Sequence, residues 1–356
     1  MTDLIKKIKV KNPDNETSDY IPIGADAENV LLKSGTSVEE AMEKAKANKC
    51  YENLASLKND DNLEVNSIVE TLGYYNVGDG GQARYLIVDN TYEVDNLIIH
   101  ALANGLRAKL IAPDGVSSNQ VGFNANQDYQ DIDALNNVLE YCGNQRIPFY
   151  LDENIAINRP IKIKTDNIHI IGRRNSQIFV EIDNEIISSM PTEDRIYIFY
   201  ATENINKIIV ENIEFIKDNT WWWDSEDISS QERYYINIFS PNSEIDKVIF
   251  NNVIFPQDAR INTSANQKLE FNNCSFGNYD GFEHTIMNNT NILFYNCNFE
   301  SSLVHTSESF KIEATNSRIQ FVAGLVNKDI TITNLNSKIV NAGFLSLTEE
   351  NPLVIE

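Results

Sequence analysis

The chain has 356 residues, of which 42% are hydrophobic and 10% aromatic, enough for a packed core and incompatible with global disorder. Its 29 basic and 52 acidic residues give a net charge of −23, with the acids spread along the whole length, a surface that repels phosphate backbones and excludes nucleic acid as a natural partner. No apolar run approaches the ~18–20 residues needed to cross a bilayer, so no membrane insertion is expected.

Taken in chain order, the N-terminus Met1-Thr2-Asp3-Leu4-Ile5-Lys6-Lys7 carries charge where a signal peptide needs its apolar stretch, which predicts synthesis in a cytoplasm without such a peptide. After Gly24-Ala25-Asp26-Ala27 and a turn near Gly35, Ser37 with Glu40 three residues on opens a short helix to Ala47. That helix has too little apolar surface to stand alone and is expected to associate with copies of itself, so residues 1–50 read as a self-associating segment. Residues 51–115 read as a small α+β module, with a helix over 53–58 and strands over 68–71, 83–88, 98–101 and 107–111. Gly78-Asp79-Gly80-Gly81 is better taken as a hairpin turn than as a phosphate loop, because neither a G-x-G-x-x-G nor a Walker pattern follows. Residues 116–148 form a linker and an amphipathic helix from Ile132 to Cys142, expected to end at Gly143 and to cap the element that follows.

From about Phe149 to residue 345 the sequence repeats. Ile209-Val210-Glu211-Asn212-Ile213-Glu214-Phe215 returns as Ile249-Phe250-Asn251-Asn252-Val253-Ile254-Phe255, then Glu270-Phe271-Asn272-Asn273-Cys274-Ser275-Phe276, then Leu293-Phe294-Tyr295-Asn296-Cys297-Asn298-Phe299. The Asn positions are 40, 21 and 23 residues apart. With a coil of roughly 20–25 residues, the first gap holds two coils or one coil with an insertion. Apolar alternation at a period of two, in segments too short for helices, excludes ankyrin and leucine-rich arrays. A sandwich would not keep the same residue types in phase. The fold class expected is therefore mainly β, a right-handed parallel β-helix (solenoid) with a small α+β N-terminal module and a short N-terminal helix. Phe215, Phe255, Phe276 and Phe299 should stack inside it, with Ile213, Val253, Cys274 and Cys297 beside them and Asn212, Asn252, Asn273 and Asn296 at the turns. Residues 346–356 read as a tail, and the segment from about 216 to 232 as an inserted loop. Cys50, Cys142, Cys274 and Cys297 lack C-x-x-C spacing and read as free thiols, with no metal site. No cofactor is expected; the acid-rich surface leaves calcium open, although no EF-hand spacing occurs.

Three segments in order resemble the opening of pectate-lyase-like phage tailspike β-helices. They are Asn126-Gln127-Asp128-Tyr129-Gln130-Asp131-Ile132-Asp133-Ala134-Leu135, then Arg146-Ile147-Pro148-Phe149-Tyr150-Leu151, then Asn167-Ile168-His169-Ile170-Ile171-Gly172. The stretch from Ile68 through Gly78-Asp79-Gly80-Gly81 to Tyr85 is similar to the small domain that precedes such helices in tailspikes of phages and prophages of Gram-positive bacteria, and the Gly24 segment to trimerising pieces of tail fibres. One departure stands out, since Asn124-Ala125-Asn126-Gln127-Asp128 occupies the place of the family's usual Gly-Asp-Gly. The resemblance implies a homotrimer in a virion or tail-like particle, joined to tail or baseplate proteins through its N-terminus, with the β-helix facing the host.

Three functions follow from that resemblance: a receptor-binding tail spike or fibre adhering to bacterial surface carbohydrate, a polysaccharide depolymerase (hydrolase or lyase), or a structural baseplate component without a ligand. Hydrolysis needs two carboxyls about 5–5.5 Å or about 6.5–9.5 Å apart. Candidate acids are Asp224, Glu226 and Asp227, and Asp280 with Glu283 beside His284, each cluster equally readable as a solvated loop. No cluster surrounds Arg260 or Arg318 to support a lyase, His169 reads as a packed or outward-facing strand residue rather than a catalyst, and His305 beside Glu308 is a weak candidate. Trp221, Trp222 and Trp223 cannot all face one core, so they are candidates for stacking on sugar rings or for packing between subunits.

Overall fold

The computed structural model describes residues 7–10, 19–22, 49–123, 131–180, 197–201, 203–217, 236–239, 245–255, 259–262, 267–276, 283–287, 290–305, 310–323, 330–335, 338–344 and 353–355. The helix expected from Ser37 falls outside these residues. An antiparallel pair that the sequence did not suggest joins Lys7–Val10 to Asp19–Pro22.

The module is a five-stranded sheet in the order Cys50–Tyr51, Ile68–Thr71, Ala83–Val88, Arg107–Ile111, Ile99–Ala101. The first pair is parallel and the others antiparallel. Helix α1 (Leu54–Lys58) begins where the Asn53 side chain accepts the Ser56 N–H at 2.8 Å, and it buries Leu54 and Leu57. Alternation along the strands puts Val69, Tyr85, Ile87, Ala108 and Leu110 into the core. His100 is also fully buried, with its ring edge-on to Tyr85 and Tyr74 at 5.8 and 6.4 Å.

The expected hairpin between Ile68–Thr71 and Ala83–Val88 is present, but residues 72–82 form a long loop rather than a tight turn. Asp79 organises it. Its carboxylate accepts the N–H groups of Tyr74 (3.0 Å), Tyr75 (2.7 Å), Asn76 (2.9 Å) and Gly81 (2.8 Å). Those four bonds outweigh the effect of burial and hold the carboxyl below its usual pKa. The loop then grips residues 119–122. Tyr75 donates its hydroxyl to the Gly122 carbonyl at 2.9 Å, Gln120 Nε2 donates to the Gln82 carbonyl at 3.2 Å, and Asn119 Nδ2 donates to the Asp79 carbonyl at 3.3 Å.

Helix α2 (Ile132–Gln145) starts at Asp131, whose carboxylate accepts the N–H groups of Asp133 and Ala134. Its apolar stripe, Ile132, Leu135, Val138, Leu139 and Cys142, shares one core with Phe149, Ile161 and Ile163 of the first coil. Gly143 does not end it, contrary to the expectation from sequence. The helix runs on to Gln145, and Arg146 adopts the left-handed conformation (φ 56°) that closes it. Gly143 is required for a different reason: a Cβ there would lie 2.5 Å from Thr165 Cγ2 and 2.6 Å from the Asp166 carbonyl oxygen. The helix sits on the coil at that point. Gly143→Ala should therefore lower stability by about 1–3 kcal/mol through overpacking, despite alanine's better helix propensity, as a urea titration would measure.

Parallel pairing starts earlier than Phe149, because Val116–Ser117 pairs with Phe149–Tyr150. It also extends into the expected tail, where Leu353–Ile355 pairs with Ile330–Ile332. Between them the chain winds through three faces. The first face stacks Phe149–Leu151, the start of Ile168–Val180, the start of Ile205–Lys217, Ile245–Asn251, Gln267–Asn272, Thr290–Tyr295, Phe310–Thr315, Ile330–Leu335 and Leu353–Ile355. The second face begins with Ile155–Ile157 and the third with Ile161–Ile163. The strand Ile168–Val180 bends from the first face to the second at Gly172, where a Cβ would meet the Asn212 carbonyl oxygen at 2.1 Å. Glu211 pairs directly with Asn251, so the 40-residue gap is one coil with an insertion. The strand before that insertion continues through Ile216 and Lys217, which pair with the preceding coil, so the extra segment starts after them rather than at 216.

Inside the tube, Phe215, Phe255 and Phe276 are buried, with ring centroids 6.1 Å and then 4.7 Å apart, and Phe276 pairs in register with Phe299. Ile213, Val253, Cys274 and Cys297 are buried beside them. All four cysteines of the chain are free. A second aromatic column, Phe250, Phe271 and Phe294, stands next to the first with stacked centroids 5.2 and 5.1 Å apart. Asn212, Asn252, Asn273 and Asn296 turn the chain with φ of 53–55°, a conformation Asn tolerates better than most side chains. Their amides join along the stack, Asn252 Nδ2 to Asn212 Oδ1 at 2.9 Å and Asn296 Nδ2 to Asn273 Oδ1 at 3.2 Å. The protein is mainly β and its principal element is a parallel β-helix.

Candidate ligand-binding face

On the first face, strand alternation turns every second side chain outward, and parallel register lines those positions into three columns. One column reads Lys207, Lys247 and Lys268, and its register position continues at Asn291 and Lys311. The middle one reads His169, Ile209, Ile249, Glu270, Leu293, Glu313. The third reads Ile171, Glu211, Asn251, Asn272, Tyr295, Thr315.

The third column is tied together by hydrogen bonds. Asn251 Nδ2 donates to Glu211 Oε1 at 2.8 Å, and Asn272 Nδ2 donates to Asn251 Oδ1 at 2.8 Å and to Glu270 Oε1 at 3.3 Å. His169 Nε2 lies 3.2 Å from Glu211 Oε1, and Lys247 Nζ lies 2.9 Å from Glu270 Oε2. Burial pushes the Glu270 carboxyl up, but Lys247 and the Asn272 amide, with Lys268 behind them, outweigh it and hold its pKa below the usual value. Glu270 therefore stays ionised and accepts hydrogen bonds; it is unsuited to donating a proton to a leaving group. Tyr295 continues the column as an exposed aromatic ring. Carboxylate and amide groups beside half-buried isoleucines and a flat ring are the mixture that binds sugar hydroxyls and sugar faces.

None of these residues is singled out by the sequence as a site; His169 is read there as a strand residue, which it is. The signal lies in the repeat: a lysine stands five residues before the turn Asn in the coils of Asn212, Asn252, Asn273 and Asn316. Trp221, Trp222, Trp223, Asp224, Glu226, Asp227 and Asp280 lie outside the described residues. Glu283 opens the strand Glu283–Met287 on the third face, where its backbone pairs with Ser302. Among the described residues no group of three His, Cys, Asp or Glu is close enough to hold a metal ion, and no helix is long and apolar enough to cross a membrane.

No protein-family model matches the sequence, and no curated protein matches it. Among solved structures, the tailspike protein of Acinetobacter phage vB_ApiP_P1 is similar at 13% identity and a TM-score of 0.54, over 86% of this chain and 64% of that one. The enzymatically active domain of tailspike protein 4 from bacteriophage CBA120 matches at 14% identity and a TM-score of 0.43, over 94% of this chain and 58% of that one. Pantoea stewartii WceF, described as a glycan biofilm modifying enzyme with a tailspike-like parallel β-helix, matches at 9% identity and a TM-score of 0.40, over 86% and 51%. The first of these likenesses establishes a shared fold, the parallel β-helix of a tailspike. The chain spans 64% or less of the length of each of the three.

Proposed function

We propose that this chain is a tail spike or fibre of a phage or phage-tail-like particle, and that it adheres to bacterial surface carbohydrate. The observation that carries the reading is the first face of the coil stack, where hydrogen-bonded Glu211, Asn251, Asn272 and Glu270 run beside apolar side chains and end at exposed Tyr295. The tailspike fold shared with the Acinetobacter phage protein supports the same reading. In this scheme the N-terminal segment joins tail or baseplate proteins and gathers three copies, so that weak single sites add up through avidity. Trp221, Trp222 and Trp223 are proposed as further sugar contacts, by stacking of their rings on sugar faces.

The test is binding of the full chain to a panel of bacterial envelopes, followed by an assay for new reducing ends. Adhesion without product is the expected result. A release of reducing ends would make the protein a depolymerase, with its acids to be sought at Asp224, Glu226, Asp227, Asp280 and Glu283 because Glu270 is held ionised. Failure to bind any envelope would retire the carbohydrate reading in favour of a structural tail component.

A further inference from the structure

We propose that the first face selects a linear anionic glycopolymer, which lies along the stack with its carboxylate or phosphate groups against the lysine column; this rests on the carbohydrate reading above and names its ligand class. The chain is strongly acidic, with 29 basic residues against 52 acidic ones. Yet four of those bases occupy a single register position, Lys207, Lys247 and Lys268 on three consecutive coils and Lys311 two coils on, with Asn291 between.

In-register neighbours of a parallel stack are ~4.8 Å apart, and like charges placed directly opposite one another work against the sheet. Neutralisation from within the face is partial. Lys247 pairs with Glu270, and Lys268 acts on that same carboxylate. Lys207 has no ion-pair partner among the described residues. Of the other carboxylates of the face, Glu211 accepts from Asn251 at the opposite edge and lies 3.2 Å from His169 Nε2, and Glu313 stands in the middle column two coils beyond Glu270. Exposed Asp246 adjoins the row in sequence but occupies a different register position. The face thus has a cationic edge, a middle column in which Ile209, Ile249 and Leu293 share the register with His169, Glu270 and Glu313, and an edge of Glu211, Asn251 and Asn272. A single small anion would use one step of such a row. A polymer with a charge in each repeat uses several at once, and weak contacts then multiply.

Binding of the full chain would be measured to polygalacturonate (carboxylate), poly(glycerol phosphate) (phosphate) and neutral dextran, at about 50 mM and about 300 mM salt. The wild type should bind at least one charged polymer, not dextran, and more weakly at the higher salt. Which charged polymer binds tells carboxylate from phosphate. The double variant Lys207→Gln/Lys268→Gln should weaken that binding by about tenfold or more. Lys109→Gln/Lys162→Gln, the same charge change away from the face, should alter it by less than about twofold. Thermal melts of both variants verify that folding is retained. Equal weakening by the two variants, dextran bound as well as the charged polymers, or neither charged polymer bound would each overturn the proposal. The envelope panel separates it from its parent reading: envelopes held equally by wild type and Lys207→Gln/Lys268→Gln overturn the anionic ligand alone, whereas envelopes ignored by the wild type overturn both.

Discussion

Replacing Phe271 with alanine should cost about 3–5 kcal/mol of stability, the upper range for a large-to-small change in a core. Phe271 is fully buried and joins the two aromatic columns. It stacks on Phe250 and Phe294 at 5.2 and 5.1 Å and meets Phe255 and Phe276 edge-on at 5.8 and 5.5 Å. The surrounding rings cannot close over the gap, because each is fixed to a strand whose spacing is set by backbone hydrogen bonds on both sides. Phe271→Leu keeps most of the volume and should cost less than about 1.5 kcal/mol. Urea denaturation of the two variants checks this, and an alanine cost below about 1 kcal/mol would mean that the column does not carry the stack.

The module at residues 49–112 should lose stability in mild acid through His100. Burial first, and the Lys58 ammonium second, push its pKa from 6.5 down to about 4, against the opposing influence of Asp95. A histidine whose folded value is depressed is neutral in the fold and protonates more readily when unfolded. Above pH 6.5 the two states bind the same number of protons, and no destabilisation arises. Between 6.5 and about 4 the unfolded state takes up the extra proton, and stability falls by up to about 3 kcal/mol, levelling off below that window. His100→Phe, which retains a ring beside Tyr74 and Tyr85, should remove this part of the pH dependence. Hydrogen exchange in the strands Ile68–Thr71 and Ala83–Val88 at pH 7 and pH 4.5 measures it, and equal losses in wild type and variant would clear His100 of the role.

The inward half of this fold is legible because a short strand has only one way to bury its side chains. Phe215, Phe255 and Phe276, with the small residues of the neighbouring column and the turn asparagines, lie where their phase in the repeat places them. Gly143 misleads because a glycine at the end of an apolar pattern signals a helix stop equally well as a close approach, and only the packing of α2 on residues 165–168 separates the two. Spacing alone does not tell two coils from one coil with an insertion, since both fill 40 residues; the pairing of Glu211 with Asn251 decides it. The outward face is hidden for another reason. Glu211, Asn251, Asn272 and Tyr295 are three residue types at one register position, so no single motif announces them, and the hydrogen bonds among Glu211, Asn251 and Asn272 exist only once the coils are in register.

The grip of the Asp79 loop on residues 119–122 has a mechanical consequence. One carboxylate fixes the loop backbone at four N–H groups, and three further hydrogen bonds fasten the loop to residues 119–122, just after the strand Val116–Ser117 that opens the stack. Pulling or twisting the module away from the stack therefore has to break these hydrogen bonds as well as extend the chain that links the two.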